Sequence, residues 1–281
     1  MLTYIKIILR GVGQVMLQNN SLTGLLFLTG IFYNSWIMGL GAIIGNISGT
    51  IFSTFLKYPK EDIKNGLYGF NGTLVGIALC YFLGLSIITT LTIILGAFIS
   101  TVIMHEIKKK VPAFTAPFVI ATWIVVFGVK FINLDTLIAS PSLQTNTLNL
   151  IPAIFKGLGQ VMFQENIVTG LIFLLAILVN SRTAAIYALY GTLLGALFAM
   201  FLSVPITTIN LGICGYNAVL CGIALGDKKW PAFFLASFAI ILSVLLNLGL
   251  NKIGAITLTA PFVLATWVAL FISYSRNKLW S

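Results

Sequence analysis

The chain consists of two copies of one sequence pattern, and this duplication constrains its fold more than any other feature. Three motifs carry the repeat: GVGQVMLQNN at 11–20 and GLGQVMFQEN at 157–166, GFN at 69–71 and GYN at 215–217, and TAPFVIATW at 115–123 and TAPFVLATW at 259–267. Internal duplication of an apolar chain is typical of membrane transporters and channels, whose substrate path lies between the two repeats.

Long apolar runs identify the chain as a membrane protein. Hydrophobic residues make up 59% of it and charged residues 8%, with a mean hydropathy of +1.05, whereas soluble domains carry about 25% charged residues. A helix needs about 20 apolar residues to cross a bilayer. Charge-free runs cover 11–56, 65–104, 111–129, 183–226 and 253–275. Glycine and proline within them favour packed helices over barrel strands, so we predict an all-α polytopic membrane protein.

Loop charges predict that the two repeats are inverted. Segment 57–64 holds three lysines, whereas its counterpart 203–210 holds no charge, and segment 105–110 holds three lysines where the loop around Lys252 has one. If basic loops are cytoplasmic, equivalent loops of the two copies lie on opposite sides of the membrane. About five crossings per copy agree with this, because an odd number turns the second copy over.

These crossings define the predicted domains. The first repeat covers 1–132, a linker covers 133–150 and the second, inverted repeat covers 151–281, with both termini cytoplasmic. Some segments are expected to be half-length, because the apolar stretch 65–80 is short and is opened by glycines.

Gln14 and Gln160 occupy the same place in both copies, within apolar surroundings. An unpaired amide in hydrocarbon costs several kcal/mol, so both side chains must face protein, water or a ligand. Two interpretations stay open: a hydrogen bond between helices, or a carboxamide oxygen that accepts from an uncharged N–H donor in a pore. For Gln18 and Gln164, one helical turn further on, we favour a structural role.

Two pairs of apolar or aromatic residues also recur, Phe70 with Leu74 and Tyr216 with Leu220. Their i, i+4 spacing places each pair on one helix face. A stripe of this kind more often packs a helix bundle than forms a substrate slot.

Thr115 and Thr259 each precede Ala-Pro. Pro117 and Pro261 lack a backbone donor, and we expect them to break a helix near the middle of the membrane. The threonine hydroxyl either faces the lumen or bonds back to its own helix.

Several classes of function are disfavoured. No Asp or Glu is repeated, and Glu165 has Asn19 as its counterpart, so the intramembrane ionisable residue usual in coupled transporters is not found. His105 stands beside lysines and is predicted to lie in a solvated loop. No nucleotide-binding, metal-ligand or nucleophile motif occurs, so we expect no enzyme and no cofactor. The net charge of +10 comes from Lys and Arg in short loops, as cytoplasmic orientation signals do, so no nucleic-acid partner is expected.

The duplicated motifs resemble those of the urea transporter family of bacteria and vertebrates. The similarity covers essentially the whole chain and rests on Gly13-Gln14-Val15 with Asn20, GLYGFNGTLVG at 66–76, GYN at 215–217 and the twin TAPF segments. The resemblance implies a homotrimer in a lipid bilayer, with one pore per protomer built from two inverted five-helix repeats and two half-length pore helices. It also implies passive, channel-like permeation of urea.

The resemblance further implies which residues line the pore. They are Gln14 and Gln160 near the mouths, Leu17 and Phe163 three residues later, Phe70 with Leu74 and Tyr216 with Leu220 as slot walls, and Thr115 and Thr259 at the constricted centre. Leu17 is smaller than the aromatic residue expected there. Tyr216 adds a hydroxyl to a wall that is often phenylalanine, so both positions bear on pore width.

A passive urea channel is therefore the first hypothesis. Urea is planar and uncharged, and acceptors along the edge of an apolar slot can replace its hydration, whereas an ion would lose far more hydration than such a lining returns. An ion- or proton-coupled transporter of a small uncharged solute, with Glu165 as the coupling residue, is the alternative, and a non-transporting structural or sensory protein is a third. A chain this compact, without long tails, is expected in the bacterial inner membrane.

Overall fold

The computed structural model describes residues 2–131 and 147–279, and every regular element in these ranges is a helix. The chain forms two compact units, Met1–Pro141 and Ser142–Ser281. Most of the predicted linker, residues 133–146, lies outside the described residues.

The first unit contains seven helices among its described residues. They are α1 (Leu2–Gln14), α2 (Ser21–Asn34), α3 (Trp36–Phe55), α4 (Lys60–Lys64), α5 (Gly69–Leu83), α6 (Ile87–Ile107) and α7 (Ala116–Phe131). The second unit repeats this order in its described part. Its helices are α8 (Leu150–Gln160), α9 (Ile167–Asn180), α10 (Arg182–Phe201), α11 (Ile206–Asn210), α12 (Tyr216–Leu225), α13 (Trp230–Lys252) and α14 (Ala260–Leu279).

Among the described residues, four helices are long and apolar enough to cross a membrane, and they occupy matching places in the two units: α3, α6, α10 and α13. Helices α5 and α12 are apolar but have 15 and 10 residues. At about 1.5 Å per residue they are about 22 and 15 Å long, short of a hydrocarbon core of about 30 Å. The chain is therefore an all-helical membrane protein with short apolar helices beside long ones.

Small polar residues begin helices at matching positions in the two units. Asn20 caps α2, its Oδ1 accepting hydrogen bonds from two first-turn amides at 2.8 and 3.1 Å. Ser35 caps α3 with its Oγ. Asn166 and Ser181 cap α9 and α10 in the same way. These caps satisfy amides that have no partner within the helix, which explains why a new helix begins after each of these residues.

The duplication extends to the backbone. Among the described residues, the non-glycine positions with positive φ form three pairs: Leu17 and Phe163 at 60° and 61°, Lys57 and Ser203 at 55°, and Phe114 and Leu258 at 45°. This conformation costs an L-residue about 1–2 kcal/mol. Its recurrence at equivalent positions shows that the two units fold the same turns.

Glycines let α3 and α5 pack closely. A Cβ on Gly45 would overlap the carbonyl oxygen of Gly72, and a Cβ on Gly41 would overlap that of Gly76. In the second unit, Gly191 meets the carbonyl of Ala218 in the same way. Contact through small residues is usual where membrane helices cross, and here it fixes the short helix α5 against a long one.

The prolines do not break helices. Helix α7 begins at Ala116 and α14 at Ala260, so Pro117 and Pro261 lie in the first turn. A backbone N–H at this position has no partner within the helix, and proline costs nothing there. The expectation that these prolines break a helix is therefore wrong: each Thr-Ala-Pro segment is a helix start.

His105 does not lie in a solvated loop, contrary to expectation. It stands in the last turn of α6, where its ring stacks on Tyr58 with centroids 3.8 Å apart. Its Nδ1 lies 3.2 Å from the hydroxyl oxygen of Tyr68. Partial burial, with a smaller contribution from Glu106, raises the pKa of Tyr58. The sequence around His105 is charged and did not predict contacts with these two tyrosines, which lie between α3 and α5.

The second unit has a cavity of about 860 Å³ at the equivalent place, lined in part by Val204, Ile213 and Asn251. Val204 is the counterpart of Tyr58. Leu248, which also lines the cavity, matches His105 in the pattern of buried residues that α13 shares with α6. The two units therefore share a backbone plan but differ in how this end of the short helix is packed.

Candidate functional site

Gln14 and Gln160 each end a helix and are held in the same way. The Nε2 of Gln14 donates to the carbonyl oxygen of Asn65 at 3.2 Å, and that of Gln160 donates to the carbonyl oxygen of Leu211 at 3.1 Å. Because a carbonyl oxygen can only accept, this bond fixes which end of the amide is the nitrogen. The carboxamide oxygen is turned away from that partner, and no hydrogen bond to it is found among residues 2–131 and 147–279.

These glutamines stand out by exposure. Residues 11–18 are all buried except Gln14 and Leu17, which are partly exposed, and residues 157–164 are all buried except Gln160 and Phe163. Within this segment of each unit, the two partly exposed side chains are therefore a carboxamide and, three residues later, an apolar side chain.

A tight turn places these side chains. After α1 ends, Leu17 adopts a left-handed conformation and the Gln18 amide donates to the carbonyl of Gly13 at 3.1 Å. A side chain on Gly13 would strike the carbonyl oxygen of Gln18, so the turn requires glycine there. The Nε2 of Gln18 donates to Met16 O at 2.8 Å.

The second unit repeats this turn, with Gln164 Nε2 donating to Met162 O at 2.6 Å. Gln18 and Gln164 therefore stabilise the turn and have the structural role predicted for them.

The short helix α5 starts where α1 ends. Gly66, with φ 73°, lies against the backbone of Gly11, and a Cβ there would overlap it. Together with the bond from Gln14 to the carbonyl of Asn65, this contact holds the start of α5 beside the glutamine. Phe70 and Leu74 on α5 are 3% and 0% exposed.

Asn71 links α5 to the start of α7. Its Oδ1 accepts a hydrogen bond from the backbone N of Phe118 at 3.0 Å, in the turn that begins beside Thr115. Asn217 accepts from the backbone N of Phe262 at 3.1 Å in the same way. Sequence reasoning did not assign this role, although the repetition of the asparagine after Phe70 and Tyr216 was the available signal.

Thr115 and Thr259 stand one residue before α7 and α14 and are 1% and 2% exposed. Leu220, on α12, is fully buried. The residues expected at the centre of a pore are thus packed more tightly than the glutamines that precede them in each unit.

The hydroxyl of Tyr216 is fully engaged. It donates to the carbonyl oxygen of Leu258 at 2.8 Å and lies 3.0 Å from Thr257 Oγ1 and 3.3 Å from Asn247 Oδ1. The counterpart of Tyr216 is Phe70, and Ala113 stands where the second unit has Thr257. The extra hydroxyl is therefore matched by extra polar partners in its own unit.

Asn46 is a buried residue that supports the helices of the candidate site and that the sequence analysis missed. It is fully buried on α3, and its Nδ2 donates to Ile8 O at 3.1 Å and to Thr73 Oγ1 at 2.8 Å. It thereby ties α3 to both α1 and α5. Its counterpart Thr192 bonds to α8, through Ile154 O at 3.3 Å, and within the described part of its unit makes no hydrogen bond to α12. An amide within an apolar run was a signal, but the repeat does not preserve it.

Glu165 is ion-paired. Its Oε1 lies 3.2 Å from Lys156 Nζ, and its side chain is 46% exposed. Arg10 and Asn19 occupy the matching positions of the first unit and contact the turn at 64–65 instead. Carboxylates that couple ion movement to transport are buried within the membrane, and Glu165 is neither buried nor without a cation.

These features define a class of protein: a helical membrane protein whose two units each present a neutral, repeated polar site at the end of a helix. Comparison with known proteins identifies the family. The family profile described as "Urea transporter" matches residues 5–274. The chain belongs to the urea transporter family.

Mammalian relatives match over most of the chain. It is 28% identical to Urea transporter 1 of Ovis aries, over 99% of this chain and 79% of that protein, with the same values for Urea transporter 1 of Mus musculus. It is 29% identical to Urea transporter 1 of Rattus norvegicus, over 84% of this chain and 67% of that protein.

Proposed function

We propose that the chain is a passive, selective urea channel. The observation that carries this proposal is the state of Gln14 and Gln160: each amide nitrogen is held by a backbone carbonyl, and each carboxamide oxygen is left as an acceptor at a partly exposed position. Urea offers N–H donors along its edges, and an oriented acceptor replaces its hydration without charge. As a member of a transporter family, the chain is a transport protein and not an enzyme.

The proposed pore lining is the repeated set of neutral residues. It comprises Gln14, Leu17, Phe70, Leu74, Thr115, Gln160, Phe163, Tyr216, Leu220 and Thr259. Partial exposure of Leu17 and Phe163 beside the glutamines supports apolar walls next to each acceptor. The other apolar and threonine positions are buried, and their burial supports a narrow passage that admits a flat molecule only after its water is removed. These buried positions are Phe70, Leu74, Thr115, Leu220 and Thr259.

We further propose that the units are inverted repeats around this pore, with bounds 1–132 and 151–281 and a linker at 133–150. The recurring turns, the short helices α5 and α12 and the charge asymmetry of the loops support this arrangement. Membership of the family supports a homotrimer. The basic loops favour cytoplasmic termini, and we propose the bacterial inner membrane as the location.

Coupled transport remains the competing mechanism, and the ion pair between Glu165 and Lys156 speaks against it. Urea flux into proteoliposomes, followed by stopped-flow light scattering, tests the proposal. We expect rapid flux that does not change when proton and sodium gradients are dissipated, and no accumulation above equilibrium. Flux equal to that of empty vesicles, or flux lost with the gradient, would contradict it.

A further inference from the structure

A groove in the second unit combines positive charge with an apolar, aromatic wall. It lies where the loop before α13 packs on the first turns of α10 and has a volume of about 480 Å³. Its lining includes Tyr187, Tyr190, Lys228, Lys229 and Phe233. We refer to it as the basic groove.

The loop that carries the lysines is held in place. The hydroxyl of Tyr187 donates to the carbonyl oxygen of Asp227 at 2.7 Å. Gly226 lies against the Tyr187 ring so closely that a Cβ there would overlap it. The hydroxyl oxygen of Tyr190, which also lines the groove, is 2.7 Å from Ser237 Oγ. The basic groove is therefore a built feature with a fixed floor.

The charge at its rim is positive. Lys228 and Lys229 are exposed, and Arg182 is exposed at the first residue of α10, next to the lining residue Thr183. Asp227 is the acidic residue of the lining, and its Oδ1 accepts a hydrogen bond from the Lys228 backbone N at 2.7 Å. The exposed side chains of Lys228 and Lys229 are therefore accessible to an anion in the surrounding medium or at the membrane surface.

An apolar track continues from the rim along α13. Trp230 is 73% exposed and lines both the basic groove and a second groove of about 460 Å³. Phe234, Phe238 and Ile272 line that second groove and are 65%, 42% and 45% exposed. Tryptophan at such a place marks the boundary between headgroups and hydrocarbon in membrane proteins.

We propose that the basic groove binds an anionic phospholipid. The phosphate lies at Lys228 and Lys229, and an acyl chain runs past Trp230 along Phe234 and Phe238. Charge complementarity selects this occupant: basic pockets between membrane helices bind anionic headgroups, and the aromatic track is continuous with them. The matching loop of the first unit, residues 81–86, carries no charge, so one such site is expected per chain. The site does not depend on the proposed urea permeation.

Thermal unfolding of the purified full-length protein in detergent tests the site. The midpoint is measured with added phosphatidylglycerol, phosphatidylcholine or inorganic phosphate. We expect stabilisation by phosphatidylglycerol alone, because phosphatidylcholine has no net negative charge and inorganic phosphate has no chain for the apolar track. Equal stabilisation by phosphatidylcholine would refute anion recognition, and equal stabilisation by phosphate would refute the lipid.

Variants locate the effect. The double variant Lys228→Gln with Lys229→Gln is expected to weaken the apparent affinity for phosphatidylglycerol about 25-fold, at about fivefold per lysine. Arginine at both positions should retain binding. Lys57→Gln with Lys60→Gln removes the same charge from two exposed positions of the first unit, before and at the start of α4. This variant should leave affinity within about twofold of the parent, within the scatter of such surface charge effects. Unchanged affinity in the first variant, or an equal loss in the Lys57 and Lys60 variant, would overturn the proposal.

Discussion

Removal of one hydroxyl group, by Tyr216→Phe, tests how the second unit accommodates its extra polar group. The variant lacks the hydrogen bond that the hydroxyl donates to Leu258 O at 2.8 Å and the contact with Thr257 Oγ1 at 3.0 Å. The contact with Asn247 Oδ1, at 3.3 Å, is longer and contributes less. Two good neutral hydrogen bonds contribute about 1 kcal/mol each. The Leu258 carbonyl keeps a 3.5 Å contact with Asn217 Nδ2, which limits the further penalty. We expect a loss of about 2 kcal/mol in the free energy of unfolding.

The assay is reversible unfolding in mixed micelles titrated with dodecyl sulfate. Tyr274→Phe is the matched control: its side chain lies on α14 in the same unit and is 68% exposed, so we expect a change within about 0.5 kcal/mol. Combining Tyr216→Phe with Thr257→Val should cost about 1 kcal/mol less than the sum of the two single changes, because they remove one shared hydrogen bond. Unchanged stability in Tyr216→Phe, or full additivity in the pair, would refute this account of the hydroxyl.

Three further changes test local features by the same unfolding measurement. Lys57→Gly should stabilise the fold by about 1 kcal/mol, since Lys57 has φ 55° after α3, and a destabilised variant would contradict that reading. Asn71→Ala should cost about 1–3 kcal/mol, because the buried amide of Phe118 loses its acceptor; no loss would show that this bond is dispensable. Thr122→Val should be neutral or slightly stabilising, since Thr122 Oγ1 is buried with no partner among the described residues, and a clear loss would reveal one.

The repeated glutamines could be recognised from sequence, because an amide repeated within apolar runs is rare and physically costly. The sequence could not show that the carboxamide oxygen, and not the nitrogen, is the atom left without a partner among the described residues. That follows from the bond between Gln14 Nε2 and the carbonyl oxygen of Asn65, two residues 51 positions apart in the chain. Asn71 was visible in the repeat, but its partner on the α7 backbone was not.

Other features misled the sequence reading for identifiable reasons. Pro117 was expected to break a helix, because proline lacks a backbone donor; instead, α7 starts one residue earlier. Asn46 escaped notice because its counterpart is Thr192, so a search for identical repeated residues passes over it. His105 was judged by its charged neighbours, whereas its environment is set by Tyr58 and Tyr68.

We propose that urea crosses the protein by donating hydrogen bonds to the carboxamide oxygens of Gln14 and Gln160. Stopped-flow urea flux through proteoliposomes of Gln14→Leu combined with Gln160→Leu tests it most directly. Thr29→Leu, on the exposed side of α2, is the control. At equal protein density, we expect about a tenfold fall in flux, equivalent to about 1.4 kcal/mol of lost hydrogen bonding in the barrier. The Thr29 control should conduct normally. Normal flux in a correctly folded double glutamine variant would contradict the account.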